Sequence, residues 1–221
     1  MDWQAAWVSV KLACATTFIL LLICPFIALW LSASTKGYKA WVKALIALPQ
    51  VLPPTVLGFY ILFMLGPAST GGRLYRGMTG SMIPFSFEGL LIASIISSLP
   101  FMVQPLTASF SEVNRHLIEV SYSLGASRLR TFFKIILPLS LPGLIAGTVL
   151  SFAHVLGEFG VVLLVGGNIP GVTRTLSITI YDQVQALNYA AAARTSLVML
   201  VFSFLLLGLT YNITQRFWKL W

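Results

Sequence analysis

Five stretches of the chain are almost entirely hydrophobic, and short polar segments separate them. The five runs cover residues 8–31, 44–65, 87–110, 138–156 and 191–211. Each run has about the 20 apolar residues that a helix needs to cross the hydrocarbon core of a bilayer. The pattern predicts an all-α integral membrane protein with about five transmembrane helices, built as a single transmembrane domain over residues 1–221.

The first run has some features of a cleavable signal peptide. Lys11 lies near its start, and the small residues Ser32, Ala33 and Ser34 follow it. Its apolar core is longer than the roughly 7 to 15 residues of a signal sequence, and it is followed by basic residues as in a stop-transfer segment. We therefore expect the run to stay in the protein as a membrane helix.

Prolines interrupt the second and third runs. The second contains Pro49, Pro53 and Pro54, and the third contains Pro100 and Pro105. Proline removes a backbone donor and disturbs the preceding helical turn, so the freed backbone groups need protein or water around them. Both runs are expected to be broken or kinked at positions that do not face lipid.

The segment between the fourth and fifth runs reads "GEFGVVLLVGGNIPGVTRTLSITIYDQVQALNY". It is rich in glycine at first and helix-like afterwards. The segment is too interrupted for a sixth crossing. We interpret it as a continuation of the fourth run or a re-entrant piece, followed by an outer loop.

Charged residues are few, and they lie between the hydrophobic runs. Hydrophobic residues make up 57% of the chain and charged residues 9%, with 14 Lys and Arg against 6 Asp and Glu. No dense basic block with interleaved aromatics is present, which argues against nucleic-acid binding. Cys14 and Cys24 lie in the first run, away from acidic residues and histidines. This placement predicts small buried side chains, with no disulfide and no metal site.

The basic residues predict the orientation of the chain. One side carries Lys36, Lys39, Lys43, Arg115, Arg128, Arg130, Lys134, Arg216 and Lys219, and the other carries Lys11, Arg73, Arg76, Arg174 and Arg194. Because loops rich in Lys and Arg stay in the cytoplasm, we expect an external amino terminus, a cytoplasmic loop 111–137 and a cytoplasmic carboxyl terminus. The final "RFWKLW" is typical of an interfacial anchor.

The loop 111–137 is expected to contain two short helices that meet at a glycine. Leu117 to Leu124 can form about two turns, Gly125 suits the left-handed residue that ends a helix, and Ser127 can cap a second helix that continues to Pro138. The first helix carries apolar side chains that lipid need not cover: Leu117, Ile118, Val120, Tyr122 and Leu124. A groove in another protein would cover them, and a solvated elbow is the alternative. Glu119 either pairs with Arg115 one turn earlier or contacts that partner.

The same loop resembles a known signature. Glu119-Val120-Ser121, three residues, Gly125, nine residues, Ile135, one residue and then Leu137-Pro138 is similar to the EAA motif of ABC importer membrane subunits, with both alanines replaced. The flanking stretches "LPQVLPPTVLGFYILFMLG" and "LPGLIAGTVLSFAHVLGEFGVVLLVGGNIPGVTRTLSITIY" resemble the molybdate permeases among the type I importers. The resemblance extends over about residues 3 to 212.

This resemblance implies a permease subunit in the bacterial inner membrane that imports molybdate, and tungstate as well, by alternating access. It implies that the motif couples the chain to an ATPase through Glu119, Val120, Ser121, Tyr122, Leu124, Gly125, Ile135, Leu137 and Pro138. The implied partners are a second copy of the chain, two ATP-binding cassette subunits and an extracytoplasmic oxyanion-binding protein. The chain has no G-x-x-x-x-G-K-[ST] loop, so ATP and Mg are expected on the partner, with no cofactor or metal on this chain.

Five helices are few for a gated path, so a dimer is expected, with the second and third runs near the interface between the copies. Pro53, Pro54 and Glu158 are the candidates for the path. Glu158 alternatively lies at the outer membrane face. His154 is expected to be an interior polar group, and it is spaced to pair with Glu158 one turn later.

Three other functions remain as alternatives. A secondary transporter would need inverted repeats and intramembrane ion sites, and the halves show no convincing repeat. A membrane enzyme would need converging nucleophiles or metal ligands, and two histidines and two cysteines supply few. The nearest alternative is a sulfate, thiosulfate or tungstate permease of the same superfamily, because a separate binding protein largely selects the substrate.

Overall fold

A computed structural model describes residues 2–33 and 37–218, with side chains described to residue 212. Lys36, Lys219 and the end of the "RFWKLW" tail lie outside the described residues. The helices are α1 Trp3–Ser32, α2 Gly37–Val51, α3 Pro54–Leu65, α4 Thr70–Thr79, α5 Phe87–Glu112, α6 Arg115–Ser123, α7 Arg128–Thr131, α8 Leu137–Leu139, α9 Leu141–Gly157, α10 Gly160–Gly166, α11 Leu176–Gln185 and α12 Tyr189–Trp218. A wide π-helical turn, Phe132–Ile136, joins α7 to α8.

The helices match the five predicted spans. Within the described chain, three helices are long and apolar enough to cross a membrane by themselves, in the ranges Trp3–Ser32, Phe87–Glu112 and Tyr189–Asn212. Two bent pairs complete the set. Helices α2 and α3 meet at 110°, and the segment Arg128–Leu139 meets α9 at 74°. The prediction of about five membrane helices is confirmed when each bent pair is counted as one span.

The first run forms a long helix that belongs to the core. Asp2 begins α1, because its Oδ1 accepts a hydrogen bond from the Ala5 amide at 3.0 Å. Cys24 is buried in the cluster that α1 shares with α5. Cys14 is exposed, so the expectation that both cysteines are buried is wrong for this one. On a membrane helix, a small apolar side chain is compatible with an exposed position, because lipid can cover it.

Only one of the two proline-rich runs is broken. The break in the second run falls between α2 and α3, at Leu52 and Pro53, whereas Pro49 lies inside α2. The third run forms one continuous helix, α5, with Pro100 and Pro105 inside it, which corrects the expected break. Helix α5 packs between α1 and α9 along most of its length, and this packing stabilises the helix despite two missing backbone donors.

Helices α1, α5 and α9 form the centre of the fold. Gly143 and Gly147 of α9 allow the backbone of α9 to approach α5 closely. A Cβ at Gly143 would lie 2.4 Å from Ser109 Cβ and 2.8 Å from the Pro105 carbonyl oxygen. Small residues of this kind allow membrane helices to gain dispersion contacts where lipid offers no hydrophobic driving force.

The segment after α9 forms a short buried helix and then a polar turn. Helix α10 has 7 residues, too few for a crossing, and it packs against α3 and α5. The turn that follows is fixed by Arg174. Its Nε donates to Asn168 Oδ1 at 2.6 Å, and its guanidinium lies 3.9 Å from Asp2 Oδ2 at the start of α1. Asn168 in turn donates to Asp182 of α11 at 2.7 Å.

Candidate functional site

The corner of loop 111–137 has the predicted glycine geometry. Helix α6 begins after Asn114, whose Oδ1 accepts from the His116 amide at 2.9 Å. At its other end Gly125 has φ +79°, which confirms the left-handed conformation. The Gly125 amide donates to the Tyr122 carbonyl at 2.9 Å, and the Ala126 amide donates to the Ser121 carbonyl at 3.0 Å. These two bonds form a Schellman motif, which satisfies carbonyls that the helix end leaves free.

Hydroxyl groups hold the second short helix against the first. Ser127 caps α7 as predicted, with its Oγ accepting from the Arg130 amide at 3.3 Å. Ser121 Oγ and Thr131 Oγ1 lie 2.8 Å apart in a buried hydrogen bond between α6 and α7. Ser121 stands at an alanine position of the EAA motif, so this replacement adds a bond to the corner. The first short helix was predicted to within a few residues. The second begins as predicted, but α7 ends at Thr131, and a π-helical turn replaces the α-helix that was expected to continue to Pro138.

The outer surface of the loop exposes apolar side chains. Leu124 is 82% exposed, and Leu117, Val120 and Tyr122 are each more than two-fifths exposed. Ile118 differs from the prediction, because it packs inward against the α1–α5 core. Two further residues on the same loop are exposed and were missed, Leu129 at 66% and Phe133 at 56%. Their spacing of four residues, one helical turn, was the available signal.

Glu119 and Arg115 do not form the pair that their spacing allowed. Both line a cavity of about 580 Å³ between α6 and the end of α1. Among the described residues, no carboxylate oxygen lies within 4 Å of the Arg115 guanidinium. Glu119 is exposed and its carboxylate is available to a partner, and that contact remains a prediction.

The remaining motif residues lie between the loop and the membrane. Ile135 is in the π-helical turn and Leu137 in α8, and both are half-buried. Leu137 packs against the same core as Ile118. Pro138 is exposed at the start of α8. Ile135 and Leu137 therefore connect the loop to α9, whereas Pro138 is exposed.

Two of the three path candidates line one cavity. Pro54 and Glu158 line a cavity of about 180 Å³, which we call the Glu158 cavity, where the α2–α3 break meets the α9–α10 break. The contact is close, since a Cβ at Gly160 would lie 2.7 Å from Pro54 Cβ. Pro53 is exposed and precedes α3, and it is not a lining residue of this cavity, although its neighbours Leu52 and Pro54 are.

Glu158 is buried and joins two helices. Its Oε1 accepts from the Val161 amide at 3.1 Å and so caps α10. Its Oε2 lies 3.2 Å from His154 Nε2, so the two side chains meet as their spacing predicted. The approach is not aligned for a hydrogen bond, and His154 Nε2 has no other partner among the described residues, so the expectation that His154 is a satisfied interior group is wrong. His154 also stacks on Phe101 of α5, with ring centres 4.1 Å apart. No group of three potential metal ligands occurs in the described part of the chain.

The chain belongs to the family of binding-protein-dependent transport system inner membrane components, whose model matches residues 25–219. Among its relatives, the molybdenum transport system permease protein ModB of Azotobacter vinelandii is 44% identical over 216 residues, covering 98% of this chain and 95% of that protein. ModB of Escherichia coli K12 is 39% identical over 185 residues, covering 83% and 80%. The family predicted from loop 111–137 and its flanks is confirmed.

A solved structure supports the fold. The permease chain in the crystal structure of a bacterial alginate ABC transporter, solved with its periplasmic protein, has a TM-score of 0.76 at 18% identity, covering 97% of this chain and 78% of that chain. At this identity the similarity establishes the fold alone. The predicted type I ABC importer permease fold is confirmed.

Proposed function

We propose that this chain is the membrane-spanning permease subunit of an ATP-driven importer that carries molybdate across the cytoplasmic membrane. The observation that carries the proposal is the 44% identity, over 98% of the chain, to a protein named as a molybdenum transport permease. Tungstate is the expected second substrate, since it is a tetrahedral dianion of nearly the same size. ATP hydrolysis takes place in a separate subunit.

The proposed mechanism is alternating access driven through loop 111–137. Two copies of the chain enclose the path, two ATP-binding cassette subunits bind the loops, and an extracytoplasmic binding protein delivers the oxyanion. The exposed apolar side chains on a rigid glycine corner support this role, because a partner's groove can bury them.

The substrate is tested in cells that lack this chain. We expect such cells to lose uptake of labelled molybdate at nanomolar supply and to retain sulfate uptake. Restoring the chain should restore molybdate uptake, and excess tungstate should compete with it. Cells that keep molybdate uptake and lose sulfate uptake would make the chain a sulfate permease.

The proposed orientation places the amino terminus outside and loop 111–137 in the cytoplasm. Cysteine labelling tests this orientation. Ser123 and Ala68 are suitable sites because they are exposed, whereas the nearby Ser127 and Ser69 cap helices and are left unchanged. In a variant whose Cys14 and Cys24 are replaced by alanine, a membrane-impermeant maleimide should label Ala68→Cys in intact cells. It should label Ser123→Cys only after the cells are opened, and the reverse pattern would invert the orientation.

We propose that Pro53, Pro54 and Glu158 border the path. Glu158→Gln removes a charge that repels a dianion, while its amide oxygen still accepts from the Val161 amide. We expect a severalfold change in the uptake rate with normal amounts of assembled transporter. Glu158→Ala is the comparison variant, because it also leaves the buried amide unpaired and should reduce the amount of folded protein. An unchanged rate in Glu158→Gln would place Glu158 outside the path.

A further inference from the structure

Helix α4 is a short helix with well-defined ends, and its main packing partner is α3. Ser69 Oγ accepts from the Gly72 amide at 2.9 Å and caps the first turn. At the other end Gly80 has φ +73°, and its amide donates to the Arg76 carbonyl at 2.9 Å. Because α5 spans the membrane between them, α4 and loop 111–137 lie on opposite membrane faces.

Helix α4 packs on the end of α3 through one glycine. A Cβ at Gly72 would overlap the Gly66 carbonyl oxygen and would lie 2.8 Å from the Leu65 carbonyl oxygen, so only glycine allows this approach. Gly71 and Gly77, in contrast, meet no atom within 4 Å. A helix of 10 residues that contains three glycines is not stable in water by itself. The surroundings of α4 must therefore contribute to its stability.

The exposed surface of α4 has an apolar face and a basic face. The apolar face consists of Leu74 and Met78, one turn apart, which are 67% and 79% exposed. The basic face consists of Arg73 and Arg76, which are exposed on the nearly opposite side, since successive side chains are about 100° apart around a helix. Across the residues whose side chains are described, no carboxylate lies within 4 Å of either guanidinium group. Residues 66–86 contain no Asp or Glu.

The connections of α4 place it at the surface of the bilayer. Residues 66–69 join it to α3 and residues 80–86 join it to α5, and both neighbours belong to candidate membrane spans. At this depth the apolar face can enter the acyl chains while the guanidinium groups reach the lipid phosphates. Met82, 49% exposed, extends the apolar surface towards α5. The occupant has to supply apolar surface beside anionic groups, and a phospholipid supplies both.

We propose that α4 is an interfacial anchor: its apolar face lies in the acyl chains of the leaflet opposite to loop 111–137, and its basic face binds phospholipid phosphates. The anchored helix holds the end of α3 at the membrane surface, because the two helices meet at Gly72. The other end of α3 begins at Pro54, which lines the Glu158 cavity. The anchor therefore fixes the position of a helix that borders this cavity.

The first test measures contact of the apolar face with acyl chains. The full chain, with Cys14 and Cys24 replaced by alanine, is labelled with a fluorophore at Leu74→Cys or Met78→Cys and is then assembled with its ATPase subunits in phospholipid nanodiscs. Bromine atoms on the acyl chains quench a fluorophore that they contact. They should quench both labels severalfold more than a label at Arg76→Cys, the matched control on the basic face.

The second test measures contact of the basic face with headgroups. Hydrogen exchange of the α4 amides should be severalfold slower in nanodiscs of anionic phospholipid than in nanodiscs of zwitterionic phospholipid, because basic side chains bind an anionic surface more strongly. The double variant Arg73→Gln, Arg76→Gln should lose this difference between the lipids. The matched control is Lys11→Gln, which removes a charge from α1 and should keep the difference.

Each outcome supports or overturns the anchor. Equal quenching of the labels at Leu74, Met78 and Arg76 overturns it. A disulfide between two copies of the Leu74→Cys variant, or a label at Met78 that is shielded only after the binding protein is added, would assign the apolar face to a protein contact and also overturns it. Equal exchange in the two lipids overturns the phosphate contact. None of these measurements requires transport, so their results are independent of the proposed function.

Discussion

Gly125→Val is expected to insert into the membrane and form the permease normally, yet to abolish uptake. Gly125 has φ +79°, and no atom lies within 4 Å of the position a Cβ would take. The effect therefore comes from the backbone alone. A β-branched residue at this φ must carry strain of about 1–2 kcal/mol or change the corner. A changed corner breaks the Schellman hydrogen bonds and displaces Tyr122 and Leu124 from the surface that the ATPase is proposed to bind.

The measurement for Gly125→Val is co-purification of the ATPase subunit together with uptake. Loss of the apolar contacts at the corner is worth a few kcal/mol, which weakens binding by one or more powers of ten. Gly125→Asn is the matched variant, because asparagine adopts the left-handed conformation far more readily than valine does. It should keep most of the binding. Full co-purification and normal transport by Gly125→Val would mean that the loop is only an elbow.

Gly143→Leu is expected to prevent accumulation of folded protein. The Cβ alone would come within 2.4 Å of Ser109 Cβ and 2.8 Å of the Pro105 carbonyl oxygen, and the latter is backbone that cannot turn away. The side chain would force α9 away from α5 at the centre of the fold. Gly143→Ala should give a graded effect, a loss of about 1–3 kcal/mol typical of overpacking. Thermal unfolding of the detergent-solubilised protein, detected by size-exclusion chromatography, measures the loss of stability in both variants.

Gly208→Leu is the control for this substitution. Gly208 lies in α12, is exposed, and has no atom within 4 Å of the place where a Cβ would stand, so the same change meets open space. It should leave the melting temperature nearly unchanged. Equal losses at Gly143 and Gly208 would show that the larger side chain acts through helix propensity or insertion, and not through the α5–α9 contact.

Features set by local sequence were predicted well. Three of the five apolar runs became single helices of spanning length, because the length of a membrane helix depends on the thickness of the bilayer, which the sequence must match; the other two became bent helix pairs. Gly125 and Ser127 took their predicted conformations because a helix end is determined by a few consecutive residues. The capping geometry of loop 111–137 could therefore be predicted without knowing the rest of the fold.

Features set by distant contacts were not predictable in the same way. Pro100 and Pro105 suggested a break in α5, but packing against α1 and α9 keeps the helix continuous. Arg115 and Glu119 have the spacing of an ion pair, yet both are directed to a cavity formed with α1. The position of Glu158 beside Pro54 depends on two helix breaks that are about a hundred residues apart in the chain.

The 74° angle between the segment Arg128–Leu139 and α9 has a mechanical consequence. That segment has twelve residues and is about 18 Å long, and nearly all of this length projects sideways from the α9 axis. A force applied at the loop, perpendicular to both the segment and the α9 axis, therefore exerts a torque about that axis. Rotation of α9 would move His154 across the face of Phe101 and carry Glu158, with the α10 helix that it caps, around the same axis.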